Sequence, residues 1–110
     1  MQRLDQFSFY PRLAETAGPA LVFFSAASCG ACRHWKQLLE GFAGSDAVPV
    51  FEVDAGIDQA LAREFALFHL PALFLFLDGE YHSPLQCEAS LPALRTALSA
   101  ALLLPAEEAP

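Results

Sequence analysis

The sequence predicts an α/β domain with a mixed sheet at its centre and helices on both faces. Three observations carry this. Apolar runs dense enough to be buried strands (residues 21–24, 48–53 and 72–77) alternate with segments whose apolar residues recur at helical spacing. The run ALFLFL at 72–77 is apolar at every position, as a strand covered on both faces must be. Asp78-Gly79 follows it directly and is the strongest hairpin signal in the chain, so residues 80–86 return antiparallel.

In order, residues 1–18 are weakly patterned. Phe7, Phe9, Tyr10 and Leu13 suggest a short strand or helix edge around Pro11. Gly18-Pro19 is a turn before the first buried strand. A helix then carries Trp35, Leu38, Leu39 and Phe42 on one face, and Gly44 is its expected stop. The second strand is expected at 48–53, with Pro49 at its start, where a missing N–H is tolerable. Asp58 is a candidate N-cap for a second helix with an apolar stripe of Leu61, Phe65 and Phe68. His69-Leu70-Pro71 ends that helix. Pro84 demotes 80–86 to an edge strand, with His82 an ordinary member of it. Ser90 caps a last helix with Pro92 in its first turn and Leu91, Leu94, Leu98 and Leu102 inward. The order is βαβαββα, with room for one element before it. Strands separated by helices are expected to run parallel through right-handed crossovers. The length suits one domain, 1–104, and the acidic residues 105–110 are expected to be a flexible tail.

Composition bounds the function. Apolar residues make up 55% of the chain, which suits a packed fold. The net charge of −7 argues against nucleic acid or an anionic membrane as partner. The N-terminus has no apolar signal region, and the longest uncharged apolar run, 70–77, is far short of a membrane span. Three cysteines are too few for a secreted disulfide scaffold. The expected address is therefore the reducing cytoplasm, where a CxxC on a strand–helix junction points to catalysis.

That junction is the sharpest signal. Cys29, Gly30, Ala31 and Cys32 stand where the first buried strand hands over to a helix. Cys29 then lies at a helix N-terminus, whose free N–H groups and dipole favour a thiolate. Cys32 shares its face of the first turn, close enough for a disulfide. Arg33, His34 and Lys36 form the one basic cluster. It reads either as a solvated helix face or as positive charge that supports the Cys29 thiolate.

CGAC after the first buried strand and LPALFLFLDGE before the hairpin together resemble the thioredoxin family, over most of the chain from about Ala20 to Leu102. The resemblance implies a thioredoxin-like three-layer α/β/α sandwich with a mixed central sheet and an antiparallel terminal hairpin. It implies a thiol–disulfide oxidoreductase, with reduction the favoured direction. Cys29 would attack and Cys32 resolve, and the dithiol itself would be the only redox centre, with no cofactor and no metal. It also implies a cis peptide at Leu70-Pro71, in a loop facing the dithiol. There the Leu70 backbone would pair with an extended protein substrate. His69, next in that loop, reads as a thiolate or substrate contact or equally as a solvent-facing histidine. Implied partners are protein disulfide substrates and a thioredoxin reductase-like or small-thiol reductant. A monomer is favoured over a weak dimer.

The departures matter. Ser28 stands where the family usually has Trp, and Ala31 where it usually has Pro. The family's buried Asp and its facing Lys match Phe23 and Val50, both apolar. That Asp is held to take the proton from the second cysteine, so its loss puts efficient turnover in doubt. Cys87, the odd cysteine, is a small hydrophobe or a thiol in the substrate groove able to trap a partner or Cys29. Two rivals stand beside the enzyme: a non-catalytic interaction or redox-switch module, and a metal-binding dimer using Cys29, Cys32 and Cys87 or His69. The latter has too few ligands for a zinc site.

Overall fold

The computed structural model describes all 110 residues. The elements are β1 (Gln2–Arg3), α1 (Phe9–Ala14), β2 (Pro19–Ser25), α2 (Gly30–Asp46), β3 (Val50–Asp54), α3 (Gln59–Glu64), β4 (Ala72–Leu77), β5 (Glu80–Leu85) and α4 (Leu91–Leu102). They form one five-stranded sheet in the order β1-β3-β2-β4-β5. The weakly patterned N-terminal region thus supplies two elements, a short strand that pairs with β3 and a helix of six residues.

β2 is the central strand, and its alternation builds both cores. Ala20, Val22 and Phe24 face one way, packing with Phe9 and Leu13 of α1, Leu61 of α3 and Phe65 just beyond it. Leu21 and Phe23 face the other way, against Cys32, Leu39 and Phe42 of α2 and Leu94 and Leu98 of α4. The first core is aromatic. Phe65 lies 5.0 Å from Phe74 and 5.3 Å from Phe24 between ring centroids, within the range where tilted and edge contacts are favourable.

β2 and β3 run parallel, but β4 runs antiparallel to β2, which corrects the expectation that every helix-separated strand is parallel. The chain re-enters the sheet from the end at which it left. Only then does the Asp78-Gly79 turn, with both residues at positive φ (52° and 83°), send β5 back along β4. Gly79 is required there twice over, since a Cβ would stand 2.9 Å from the Ala14 Cα.

Three local expectations are also corrected. Gly44 does not stop α2, which runs on to Asp46 and ends at Ala47 in the left-handed region (φ 55°). Arg95 of α4 holds that end through two bonds to Asp46, Nε–Oδ2 2.8 Å and Nη2–Oδ1 2.9 Å. Phe68 is not core. α3 ends before it, Ala66 turns the chain at positive φ (50°), and Phe68 is 96% exposed. Asp58 is the N-cap residue of α3, as expected, although its side chain makes no cap bond; its Oδ1 accepts from the Gln6 N–H and ties α3 to the N-terminal segment. His82 is buried, with its Nε2 2.8 Å from the Ala101 carbonyl oxygen near the end of α4. Ser90 Oγ does accept from the Ala93 N–H, with Pro92 in the first turn. Residues 105–110 are exposed, yet the Glu107 N–H donates to the His82 carbonyl, so the segment passes along the outer edge of β5.

Candidate active site

β2 ends at Ser25, and three small residues carry the chain to Cys29, the N-cap of α2. Cys29 is extended (φ −89°, ψ 109°), and its Sγ accepts from the Cys32 N–H at 3.2 Å. A side-chain acceptor at the N-cap satisfies one of the free donors of the first turn. Here the acceptor is the sulfur, so the same N–H that caps the helix favours the Cys29 thiolate. Cys29 and Cys32 are joined as a disulfide with Cα atoms 5.3 Å apart. The two sulfurs are not equivalent, since Cys29 is half-buried and Cys32 is buried in the second core.

The pair opens on a cavity of about 330 Å³. Its wall is built from the end of β2 and the loop after it (Ser25, Ala26, Ala27), from β1 (Arg3) and β3 (Glu52, Asp54), and from α2 (Arg33, Lys36). Glu52 is the unexpected member. It stands opposite Phe23 in the β2–β3 register and is buried. Its carboxylate meets Lys36 Nζ at 3.4 Å and Arg3 Nη2 at 3.5 Å, and accepts from the Ser25 hydroxyl at 2.9 Å. Phe23 and Val50 are apolar, as the sequence shows, and buried, and a different acid, Glu52, is buried on the cavity that holds the dithiol. The acid sits on β3 and its lysine on α2. Strand alternation contained the signal: Glu52 is two residues from Val50, so it faces α2, and Lys36 lies four residues after Cys32 on the same helix face.

The remaining expected residues divide into three groups. Ser28, Gly30, Ala31 and Arg33 are exposed around the sulfurs. Leu70 and Pro71 are half-buried, their peptide bond is cis, and Leu70 packs against both cores. His69 is exposed, and it lines a separate, mainly apolar cavity of about 190 Å³ with Phe68, Phe74 and Pro84 rather than the one that holds the sulfurs. His34 points away from the dithiol, its Nε2 3.3 Å from the Ala89 carbonyl oxygen. Cys87 is a free thiol, half-buried at the edge of the second core. Burial, and then the neighbouring Glu88 charge, push its pKa up, so it is a poorer nucleophile than an ordinary cysteine at neutral pH. No group of three or more His, Cys, Asp and Glu side chains converges as metal ligands, and no helix is long and apolar enough to cross a membrane.

Comparison with known proteins agrees with this geometry. The Thioredoxin family model matches residues 1–100. A thioredoxin of Mycolicibacterium smegmatis is 34% identical over 76 residues, covering 66% of this chain and 68% of its own length. Protein disulfide-isomerase A5 of Mus musculus is 36% identical over 83 residues, 69% of this chain but 14% of that larger protein. Among solved structures, thioredoxin f2 of Chlamydomonas reinhardtii superposes with a TM-score of 0.71 over 91% of this chain and 92% of its own, at 16% identity, a likeness of fold. Family model, relatives and fold coincide on a chain in which Cys29 and Cys32 form the expected pair, and the chain belongs to the thioredoxin family of thiol–disulfide oxidoreductases.

Proposed function

We propose that this chain reduces protein disulfides, with Cys29 as nucleophile and Cys32 as resolving cysteine. The asymmetry of the pair carries the reading: the half-buried sulfur can meet a protein substrate, and the buried one can meet only its neighbour. The Cys29 thiolate attacks one sulfur of the substrate disulfide. A mixed disulfide forms, and the other substrate sulfur leaves as thiolate and takes a proton from water. Cys32 then gives up its proton and attacks the Cys29 sulfur, releasing the second substrate thiol. Two electrons pass from the dithiol to the substrate, and a reductase or a small thiol must return them. The reaction calls on no cofactor beyond the dithiol, and a cytoplasmic, reducing compartment suits a dithiol that must be re-reduced after each turnover. Leu70, Pro71 and the apolar surface beside them are the proposed bed for the substrate chain, with Leu70 offering its backbone for strand-like pairing.

Glu52 supports the second step. Cys32 is buried and needs a proton acceptor, and Glu52 is the buried carboxylate on the same cavity. Water in that cavity can relay the proton between them.

The test is trapping. Cys32→Ser is expected to accumulate a mixed disulfide with a reduced-and-reoxidised protein substrate, seen as a mass increase, while Cys29→Ser forms none. Steady-state reduction of protein disulfides by the wild-type chain with a dithiol regenerant completes the case. A disulfide that forms at Cys29–Cys32 without any such turnover would favour the interaction or redox-switch module instead.

A further inference from the structure

The chain is acidic, but its cations are not evenly spread. Three of its six Lys and Arg residues, Arg3, Arg33 and Lys36, line the cavity that holds both sulfurs. With Glu52 and Asp54 on the same wall, the cavity residues sum to +1, against −8 for the rest of the molecule. Arg3 and Lys36 are both committed to Glu52. Asp54 is turned to its own loop, with its Oδ1 accepting from the Gly56 and Ile57 N–H groups at 2.9 and 3.1 Å. Arg33 is the cation left over. It makes no ion pair and no hydrogen bond, and it lies next in sequence to Cys32 in the first turn of a 17-residue helix, where the helix dipole also favours an anion.

We propose that this cavity carries an anion subsite centred on Arg33, which selects disulfides bearing a carboxylate close to the reacting sulfur. The inference rests on the reductase reading above and specifies its substrates. The chemistry is a planar carboxylate against a guanidinium fork. Two kinds of disulfide offer it: a protein disulfide with Asp or Glu beside the cysteine, and a small acidic disulfide. Most of the surface repels either one, but repulsion between exposed charges is screened within about 8 Å at physiological salt, so the local cation decides once the substrate is docked.

The experiment measures the rate at which the reduced chain reacts with two disulfide probes, the anionic dithiobis(nitrobenzoate) and the neutral dithiodipyridine. Each rate is divided by that of free dithiothreitol to remove intrinsic reactivity. Arg33→Gln is expected to lower the anionic-to-neutral ratio by about fivefold, Arg33→Glu by more, and Arg33→Lys by less than Arg33→Gln, since the charge stays while the planar fork is lost. The ratio separates this role from support of the Cys29 thiolate, since a thiolate effect slows both probes alike. An unchanged ratio in Arg33→Glu overturns the proposal. No reaction with either probe would remove the reductase reading and the subsite together. The source of the carboxylate is resolved by two further pairs, disulfide peptides differing only in Glu or Lys beside the cysteine, and oxidised glutathione against cystamine. Arg33 dependence in the peptide pair assigns the subsite to protein substrates, dependence confined to the small pair assigns it to small acidic disulfides, and dependence in neither overturns it.

Discussion

A carboxylate on the wall of the cavity that holds two cysteine sulfurs changes how the second sulfur can react. Glu52 is only 6% exposed at its side chain, and removing an ionised carboxylate from water is costly unless it is paired. Lys36 and Arg3 pair it from outside, at 45% and 53% exposure, and Ser25 adds a hydrogen bond from within. Because both cations are about half exposed, water can still reach them when the carboxylate is lost. Glu52→Gln can keep the bond to Ser25 and is expected to alter stability by no more than about 1 kcal/mol. Its effect belongs to kinetics. The mixed disulfide should resolve about a hundredfold more slowly at pH 7 in Glu52→Gln, and the deficit should shrink as pH rises and Cys32 ionises without help. Stopped-flow decay of a preformed mixed disulfide, followed across pH, reads both effects. A uniform slowing at every pH would assign Glu52 a purely structural role.

Among the elements, α2 does most to place the chemistry, and its two ends are held differently. Its start is capped by the sulfur that reacts. Its end carries Asp46, an acid at the negative end of a helix dipole, which is unfavourable unless a cation answers it. Arg95 of α4 does so, and its hydrogen bond, with help from Ser45, holds the Asp46 carboxyl down at about 2 against an ordinary 3.8. A lowered carboxyl contributes stability above its unfolded pKa and loses it as pH falls through the folded one. The Asp46–Arg95 contribution is therefore complete above about pH 4 and gone below about pH 2. Arg95→Ala should lower the melting temperature at pH 7, and the gap from wild type should close between pH 4 and pH 2. Thermal unfolding by circular dichroism over that range decides it, and a gap that persists at pH 2 would mean Arg95 acts through packing. The sequence could not reveal this staple, because Gly44 resembles a helix stop and Asp46 and Arg95 lie 49 residues apart. What it did reveal at this scale were the elements with strong local chemistry: the CxxC at a strand–helix junction, the Asp78-Gly79 turn and the Ser90 cap, each written in neighbouring residues.

At the scale of the molecule, strand direction and surface edges depend on distances that no local pattern records. The antiparallel β4 is set by the end at which the chain re-enters the sheet, and the ionic cavity by bringing β1, β2, β3 and α2 together. The sheet's two outer strands, like those facts, can be judged only in the assembled fold. An open edge invites pairing with another chain, and proteins blunt such edges by brevity, proline or cover. β1 is two residues long. β5 has six, with Pro84 near one end, and at the other the 105–110 segment crosses it. Glu107 donates its N–H to the His82 carbonyl at 2.7 Å, and Ala109 and Pro110 reach a cavity bordered by Tyr81, Glu80 and Gly79. Tyr81 senses this cover, since burial and then the Glu107 charge push its phenol pKa up. Deleting 105–110 should therefore have two linked effects. Tyr81 should ionise at lower pH, read as phenolate absorbance in an alkaline titration, because a repelling charge and part of its cover are gone. The uncovered edge should also raise self-association, read as concentration-dependent mass in light scattering. A shift in Tyr81 without any gain in association would show that Pro84 alone suffices to close the edge. If neither changed, the segment would be no cover at all.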